Sequence, residues 1–314
     1  MDDCLSVILT FLDVDTLTTC FLVNKKFYAL SHQDVLWQHH LQPTWFPCQK
    51  HIFDHYQKSV QCQQFIKTRQ SFQLIETLDL SYQQISRLPP EMNVLKNLKV
   101  IDLNHNNITT LPAEWGQMPL QWINLNNNKI TTLPAAWSMP LQWIDLSHND
   151  ITTLPTEWSM PLKIIDLSHN NITTLPAEWS VMPLQRIYLH NNKITTLPVE
   201  WSVMPLQTIY LHNNKITTLP AEWSVMPLQG IDLRHNLITT LPVEWSVIPL
   251  QWIQLSHNHI TTLPAEWGKM TLKWIDLSHN HITSLPSKWR TPLQRIDLCH
   301  NDNIDRCMVC QKLI

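Results

Sequence analysis

The chain has 314 residues, of which 44% are hydrophobic and 15% charged, with a formal net charge of -3. No block of Lys or Arg interrupts it, so it lacks the electrostatic footprint of a nucleic-acid or anionic-membrane binder. No apolar run approaches the roughly 20 residues of a membrane span.

At the N-terminal end Leu5, Ile8, Leu9 and Leu12, then Leu17, Phe21 and Leu22, recur at helical spacing. The break falls at Asp13-Val14-Asp15, where Asp15 is placed to cap a second helix. Residues 1–42 therefore read as a compact set of short helices. The stretch from Ile8 to Trp37 resembles the F-box, the helical motif that joins the Skp adaptor of cullin-based ubiquitin ligases. Ile8, Phe11-Leu12, the acidic Asp13 and Asp15, Leu17, Val23-Asn24-Lys25-Lys26, Phe27 and Leu36-Trp37 stand where that family has its anchors. The family's opening Leu-Pro has no counterpart, since aligning on Ile8 puts Met1 in place of the Pro. The resemblance implies that Leu5, Ile8, Leu9, Leu12, Leu17, Val23, Phe27, Leu36 and Trp37 bind a Skp-type adaptor and, through it, a cullin.

Residues 43–73 are rich in Gln and Lys, with Phe53, Tyr56 and Phe65 among them and no Gly. They predict a helical joint and N-terminal cap that hold the N-terminal helices rigidly against the rest of the chain.

From Ile101 to Asn301 the chain repeats Leu-x-x-Ile-x-Leu-x-x-Asn-x-Ile-Thr-Thr-Leu-Pro-x-Glu-Trp-Ser-x-Met-Pro, its Asn recurring every 21 or 22 residues from Asn106 to Asn301. This resembles the leucine-rich repeat, which implies an α/β solenoid of about eleven repeats over residues 74–301 with a parallel concave sheet. In each unit a stretch such as Trp143-Ile144-Asp145-Leu146-Ser147 alternates apolar and polar residues, the period of a strand with one buried face, here Ile144 and Leu146. The first unit, with Leu78 and Leu80 but Gln83 in place of Asn, has the degenerate form of a terminal repeat. The recurring Asn can donate to and accept from the backbone of an adjacent turn, which makes it structural. Trp115, Trp137, Trp158, Trp179, Trp201, Trp223, Trp245, Trp267 and Trp289 fall where related repeats carry an aliphatic residue. They predict a stacked row of buried indoles on the side away from the sheet.

Registered units line equivalent residues up into columns, and four columns are expected to face solvent. The residue before the strand Ile varies most, through Val100, Trp122, Trp143, Ile164, Arg186, Thr208, Gly230, Trp252, Trp274 and Arg295. Asp fills most of the next outward column, but Tyr188 and Tyr210 interrupt it beside His190 and His212. Against so constant a frame, Trp122, Trp143, Arg186, Tyr188, His190, Tyr210, His212, Arg234, Trp252 and Trp274 are the candidate anchors for a target protein. His257, His259, His279, His281 and His300 form the densest imidazole group. A regular column of this sort arises by unit duplication without any ligand, so no metal or cofactor is assigned. An open repeating face also gives its carboxylates and imidazoles equal surroundings, where acid–base catalysis needs unlike ones. No catalytic residue is expected, and the chain does not read as an enzyme.

Seven scattered cysteines, Cys4, Cys20, Cys48, Cys62, Cys299, Cys307 and Cys310, are unlike a disulfide framework. With Met1-Asp2-Asp3 acidic where a secretory signal would be basic, they predict reduced thiols in the cytoplasm or nucleus. Residues 302–314 are expected to cap the stack, with Ile304, Met308, Val309 and Leu313 covering Ile296 and Leu298 and with Cys307 and Cys310 metal-free. The order of parts, an F-box-like segment and then leucine-rich repeats, is a recurring family arrangement. It implies the substrate-recognition adaptor of a Skp-cullin-F-box type E3 ubiquitin ligase. The alternative is a leucine-rich-repeat protein-binding scaffold with no ubiquitin link. The Trp-rich unit beside such a segment also resembles the F-box and repeat proteins of large DNA viruses of amoebae, which implies that the ligase would be a host's.

Overall fold

The computed structural model describes residues 75–88, 90–286 and 294–302. The F-box-like segment 1–42, the joint 43–73, Trp289 and the cap residues Ile304, Cys307, Met308, Val309, Cys310 and Leu313 lie outside them. The chain forms two compact units, residues 1–141 and 142–314.

In the first unit β1 (Thr77–Asp79), β2 (Val100–Asp102) and β3 (Trp122–Asn124) pair in parallel, with Leu78, Ile101 and Ile123 in register. In the second, β4 (Trp143–Asp145), β5 (Ile164–Asp166), β6 (Arg186–Tyr188), β7 (Thr208–Tyr210), β8 (Gly230–Asp232), β9 (Trp252–Gln254), β10 (Trp274–Asp276) and β11 (Arg295–Asp297) pair in parallel in chain order. There is one strand per repeat, eleven in all among the described residues. The inward residues Ile144, Leu146, Ile165 and Leu167 are fully buried, as the alternation predicts.

Each strand is three residues long, shorter than the five-residue alternation. The reason is local. Asp145 Oδ1 accepts from Ser147 N at 2.8 Å, and the next residue, His148, is left-handed at φ 54°, so the chain turns as soon as Leu146 is buried.

The opposite side is built from 3-10 helices among the described residues, and no α-helix is found there. They span Pro90–Val94 and Ala113–Gln117 in the first unit, and Ala177–Val181, Val199–Val203, Ala221–Val225, Val243–Val247 and Ala265–Lys269 in the second. Each of those from Ala113–Gln117 onward comes after a Pro with extended backbone. Five residues are too few for an α-helix, and the chain instead closes tight i→i+3 bonds such as Met182 N to Trp179 O at 2.9 Å. In the units around Trp137 and Trp158 one residue is missing between Ser and Met, and there only a turn remains.

Two ladders lock successive repeats. Asn170 Oδ1 accepts from Ile151 N at 2.9 Å, while its Nδ2 donates to Leu146 O and Leu167 O at 2.9 and 3.1 Å. Equivalent bonds are made by Asn192, Asn214, Asn236, Asn258 and Asn280, so the Asn is structural, as its chemistry predicts. The second ladder is made by the tryptophans. Trp115, Trp137, Trp158, Trp179, Trp201, Trp223, Trp245 and Trp267 are at most 1% exposed, and in the second unit their rings lie parallel with centroids 5.9–6.5 Å apart. The indole N–H of Trp179, Trp201, Trp223, Trp245 and Trp267 donates to a Pro carbonyl of the preceding repeat at 2.8–2.9 Å. An aliphatic residue would fill the same space and forgo that hydrogen bond between repeats. No helix of the described residues is long and apolar enough to cross a membrane.

Candidate functional site

The outward column of Asp residues serves the backbone first. Asp79, Asp102, Asn124, Asp145, Asp166, Asp232, Asp276 and Asp297 each accept a hydrogen bond from the N–H two residues on, at 2.8–3.2 Å. This is an Asx-type turn repeated along the face. Strand alternation by itself makes this column plain surface, whereas the Asp-Leu-Ser spacing carries the turn signature.

The column of His and Asn before each conserved Asn has an equally local cause. His105, Asn127, His148, His169, Asn191, Asn213, His235, His257, His279 and His300 all have φ between 53° and 57°. Among non-glycine residues Asn and His tolerate this left-handed region best, so backbone geometry explains the column better than duplication alone. The rings then stack: His148 on His169 at 3.9 Å, and His235, His257, His279 and His300 in series at 4.1–4.2 Å. Among the described residues no three His, Cys, Asp or Glu side chains converge as a metal site requires. Burial and the neighbouring imidazoles His235 and His279 lower the basicity of His257.

Three repeats give up the turn-capping residue. Tyr188 on β6, Tyr210 on β7 and Gln254 on β9 replace Asp, and the bond to the N–H two residues on is not made there. Tyr188 and Tyr210 stack face to face at 4.8 Å with 1° between planes, and His190 and His212 stack beside them at 4.3 Å. Burial and the Tyr188 phenol raise the Tyr210 phenol above its ordinary value, so it stays a neutral donor at neutral pH. Burial, then His212 and His169, push the His190 imidazole down to about 4. Its Nδ1 is buried without a partner.

On β8, Asp232 is 2% exposed, the most buried member of its column. Arg234 grips it through Nε at 3.0 Å and Nη2 at 2.7 Å, and His212 Nδ1 lies 3.1 Å from its Oδ2 without the alignment of a hydrogen bond. Burial alone would raise this carboxyl; the His212 and Arg234 partners overcome it and hold the pKa at about 2. Asp166, with Ser168 in place of a cation, is raised by burial instead.

Gly230 opens β8. A Cβ there would lie 2.0–2.3 Å from the Trp252 indole, so the missing side chain is what lets that ring lie down across β8 toward Tyr210, 6.0 Å away. Trp274 on β10 stands under the Arg295 guanidinium, 6.0 Å from its centroid. In the sequence Gly230 is an oddity within a strand; its place one register step from Trp252 was the available signal.

The structure thus groups Arg186, Tyr188, Tyr210, Trp252 and Trp274 on neighbouring strands β6, β7, β9 and β10 of the second unit, with His190, His212 and Arg234 two residues past the ends of β6, β7 and β8. Trp143 stands apart on β4, separated from Arg186 by Ile164, and Trp122 belongs to the first unit. Not every outward position faces solvent: Ser147, Ser168 and Ser256, each following the second Leu of its repeat, are buried at 3–4% exposure.

A leucine rich repeat family model matches residues 73–130, 97–151, 140–194, 205–260, 226–282 and 248–302, and no F-box match accompanies it. Solved structures of similar fold include an internalin (InlF) of Listeria monocytogenes, 19% identical over 78% of this chain and 73% of that one with a TM-score of 0.64. The leucine-rich repeat domain of APL1B is 20% identical over 77% and 74%, with a TM-score of 0.60. The plant peptide hormone receptor RGFR1 in complex with RGF2 is 23% identical over 72% and 46%, with a TM-score of 0.55. At these identities the likeness is one of fold. A comparison with curated protein sequences found no match. One strand per repeat, the Asn ladder and matches over most of its length establish that the chain belongs to the leucine-rich-repeat family.

Proposed function

We propose that the chain captures a protein target on the sheet face of its second unit, centred on Tyr188, Tyr210, Trp252 and Trp274. The observation that carries this reading is the surrender of the turn-capping Asp at Tyr188, Tyr210 and Gln254. Those repeats give up a backbone hydrogen bond and present large aromatic side chains, the residue type enriched at binding hot spots. The fold likeness to a plant receptor in complex with RGF2 supports the same side of the reading. Anchors of this kind act by contact, and the chain catalyses nothing itself.

The finer proposal is that residues 1–42 join a Skp-type adaptor and a cullin, which makes the chain the substrate-recognition subunit of an E3 ubiquitin ligase in the cytoplasm or nucleus. Its support is the run of F-box-like anchors from Ile8 to Trp37. If the amoebal-virus likeness of the repeats holds, the ligase belongs to the host. The rival is a leucine-rich-repeat scaffold with no ubiquitin link. Calorimetry of the full chain against a Skp adaptor separates them: binding that is lost in Leu12→Ala or Trp37→Ala supports the ligase subunit, and no binding by the intact chain leaves the scaffold.

A further inference from the structure

An open cavity of about 450 Å³ lies on the sheet face, lined by Tyr210, Gln251, Trp252, Gln254, Lys273 and Trp274. Its shape stems from Gly230. Because the Trp252 ring lies over β8, it leans away from β10 and from Trp274, its register partner, and the two indoles form walls of one cleft. The volume falls within the range of sites that hold a small ligand or one large side chain.

Two features define the occupant. The Trp252 and Trp274 indoles offer two flat apolar walls, which suit a planar ring. Of the six lining side chains only Lys273 is charged; its Nζ donates to Gln251 Oε1 at 3.2 Å from an exposed position at the rim, while Arg295 covers the outer face of Trp274. The Asp276 carboxylate on the same face of β10 is engaged by Ser278 N and Oγ, so the charge a ligand meets at the rim is that of Lys273, which favours a carboxylate over an ammonium. We propose that the cavity receives an aromatic side chain from an acidic peptide segment of the target, with the ring between Trp252 and Trp274 and a neighbouring carboxylate on Lys273. This rests on the sheet face being a protein-binding surface.

The test is a ligand-observed NMR titration of the full chain with N-acetyl-Asp-Trp-amide, beside N-acetyl-Lys-Trp-amide, tetramethylammonium and maltose. The Asp-Trp probe should bind saturably and more tightly than the others. Trp274→Ala should weaken it by about tenfold or more, as loss of an anchor does. Gly230→Ala should do the same with an unchanged circular dichroism spectrum, since its methyl group displaces a side chain and no backbone. Lys273→Glu should swing the preference between the two dipeptides by roughly fivefold toward Lys-Trp, the scale of an exposed ion pair. Absence of saturable Asp-Trp binding, or wild-type affinity in both Trp274→Ala and Gly230→Ala, overturns the proposal; stronger binding of tetramethylammonium or maltose reassigns the cavity to a cation or a sugar. Target capture that persists in Gly230→Ala but fails in Tyr188→Ala would sink the cavity proposal and keep the sheet-face reading, whereas capture that is indifferent to both would sink that reading.

Discussion

Tryptophan plays two parts in this molecule. On the side of the 3-10 helices, Trp179, Trp201 and Trp223 are fully buried, lie parallel to their neighbours and donate their N–H groups to Pro carbonyls one repeat back. On the sheet face, Trp252 and Trp274 are half-exposed, and the Nε1 of Trp274 has no partner. The first set recurs in every complete unit because each ring meets the same surroundings, so its contribution is one of stacking energy and satisfied polar groups. The second set appears in some repeats and is replaced by Thr, Ile, Arg or Gly in others, since that position faces outward and packing does not dictate it. Identical chemistry therefore says little about role until the direction of the side chain is known.

Mutation can break that contrast at its strongest point. Trp201→Ala should lower the unfolding free energy by about 3–5 kcal/mol, through a large cavity and the lost indole bond to the Pro176 carbonyl. Denaturant unfolding measures it, and a loss as small as that of a sheet-face Trp would erase the distinction. Asn192→Ala comes next. It removes the acceptor of Ile172 N and the donor to Leu167 O and Leu189 O, and should cost about 2–3 kcal/mol by the same measurement.

Acid sharpens the comparison between carboxylates of one column. Asp232 has its folded pKa depressed to about 2 from an ordinary 3.8, so its stabilisation is full above the ordinary value and is lost as pH falls through about 2. The loss between about pH 4 and pH 2 should be on the order of 2 kcal/mol at 1.36 kcal/mol per unit, and Asp232→Asn should flatten it. His190, lowered from 6.5 to about 4, withholds its proton in the folded state, so stability should also decline as pH falls from 6.5 toward 4. His190→Gln should remove that slope, and an unchanged pH profile would show that the ring is solvated. The smallest effect belongs to the sheet face: Trp252→Ala should cost about 1–2 kcal/mol, less than Trp201→Ala, because its ring is only partly buried and packs on one side. Its consequence should be read in target capture.

The range of each interaction decided how much was legible in the sequence. The repeat, the buried Ile and Leu positions, the structural Asn and the buried Trp row were all readable there, because periodicity and side-chain chemistry act over a few residues and are then copied. The helical N-terminal segment was readable only as a resemblance. What tertiary structure decided were the pairings that join residues about a repeat apart or hinge on backbone dihedrals: the indole bonds to Pro carbonyls, the left-handed His column and the stacking of Tyr188 on Tyr210. The burial of Asp232 between His212 and Arg234 and the Trp252 ring laid across Gly230 belong with them. Sequence alone determined that this chain is a stack of repeats, since each unit states its own buried pattern; which outward residues meet depended on register and ring orientation, which exist only once the strands are side by side.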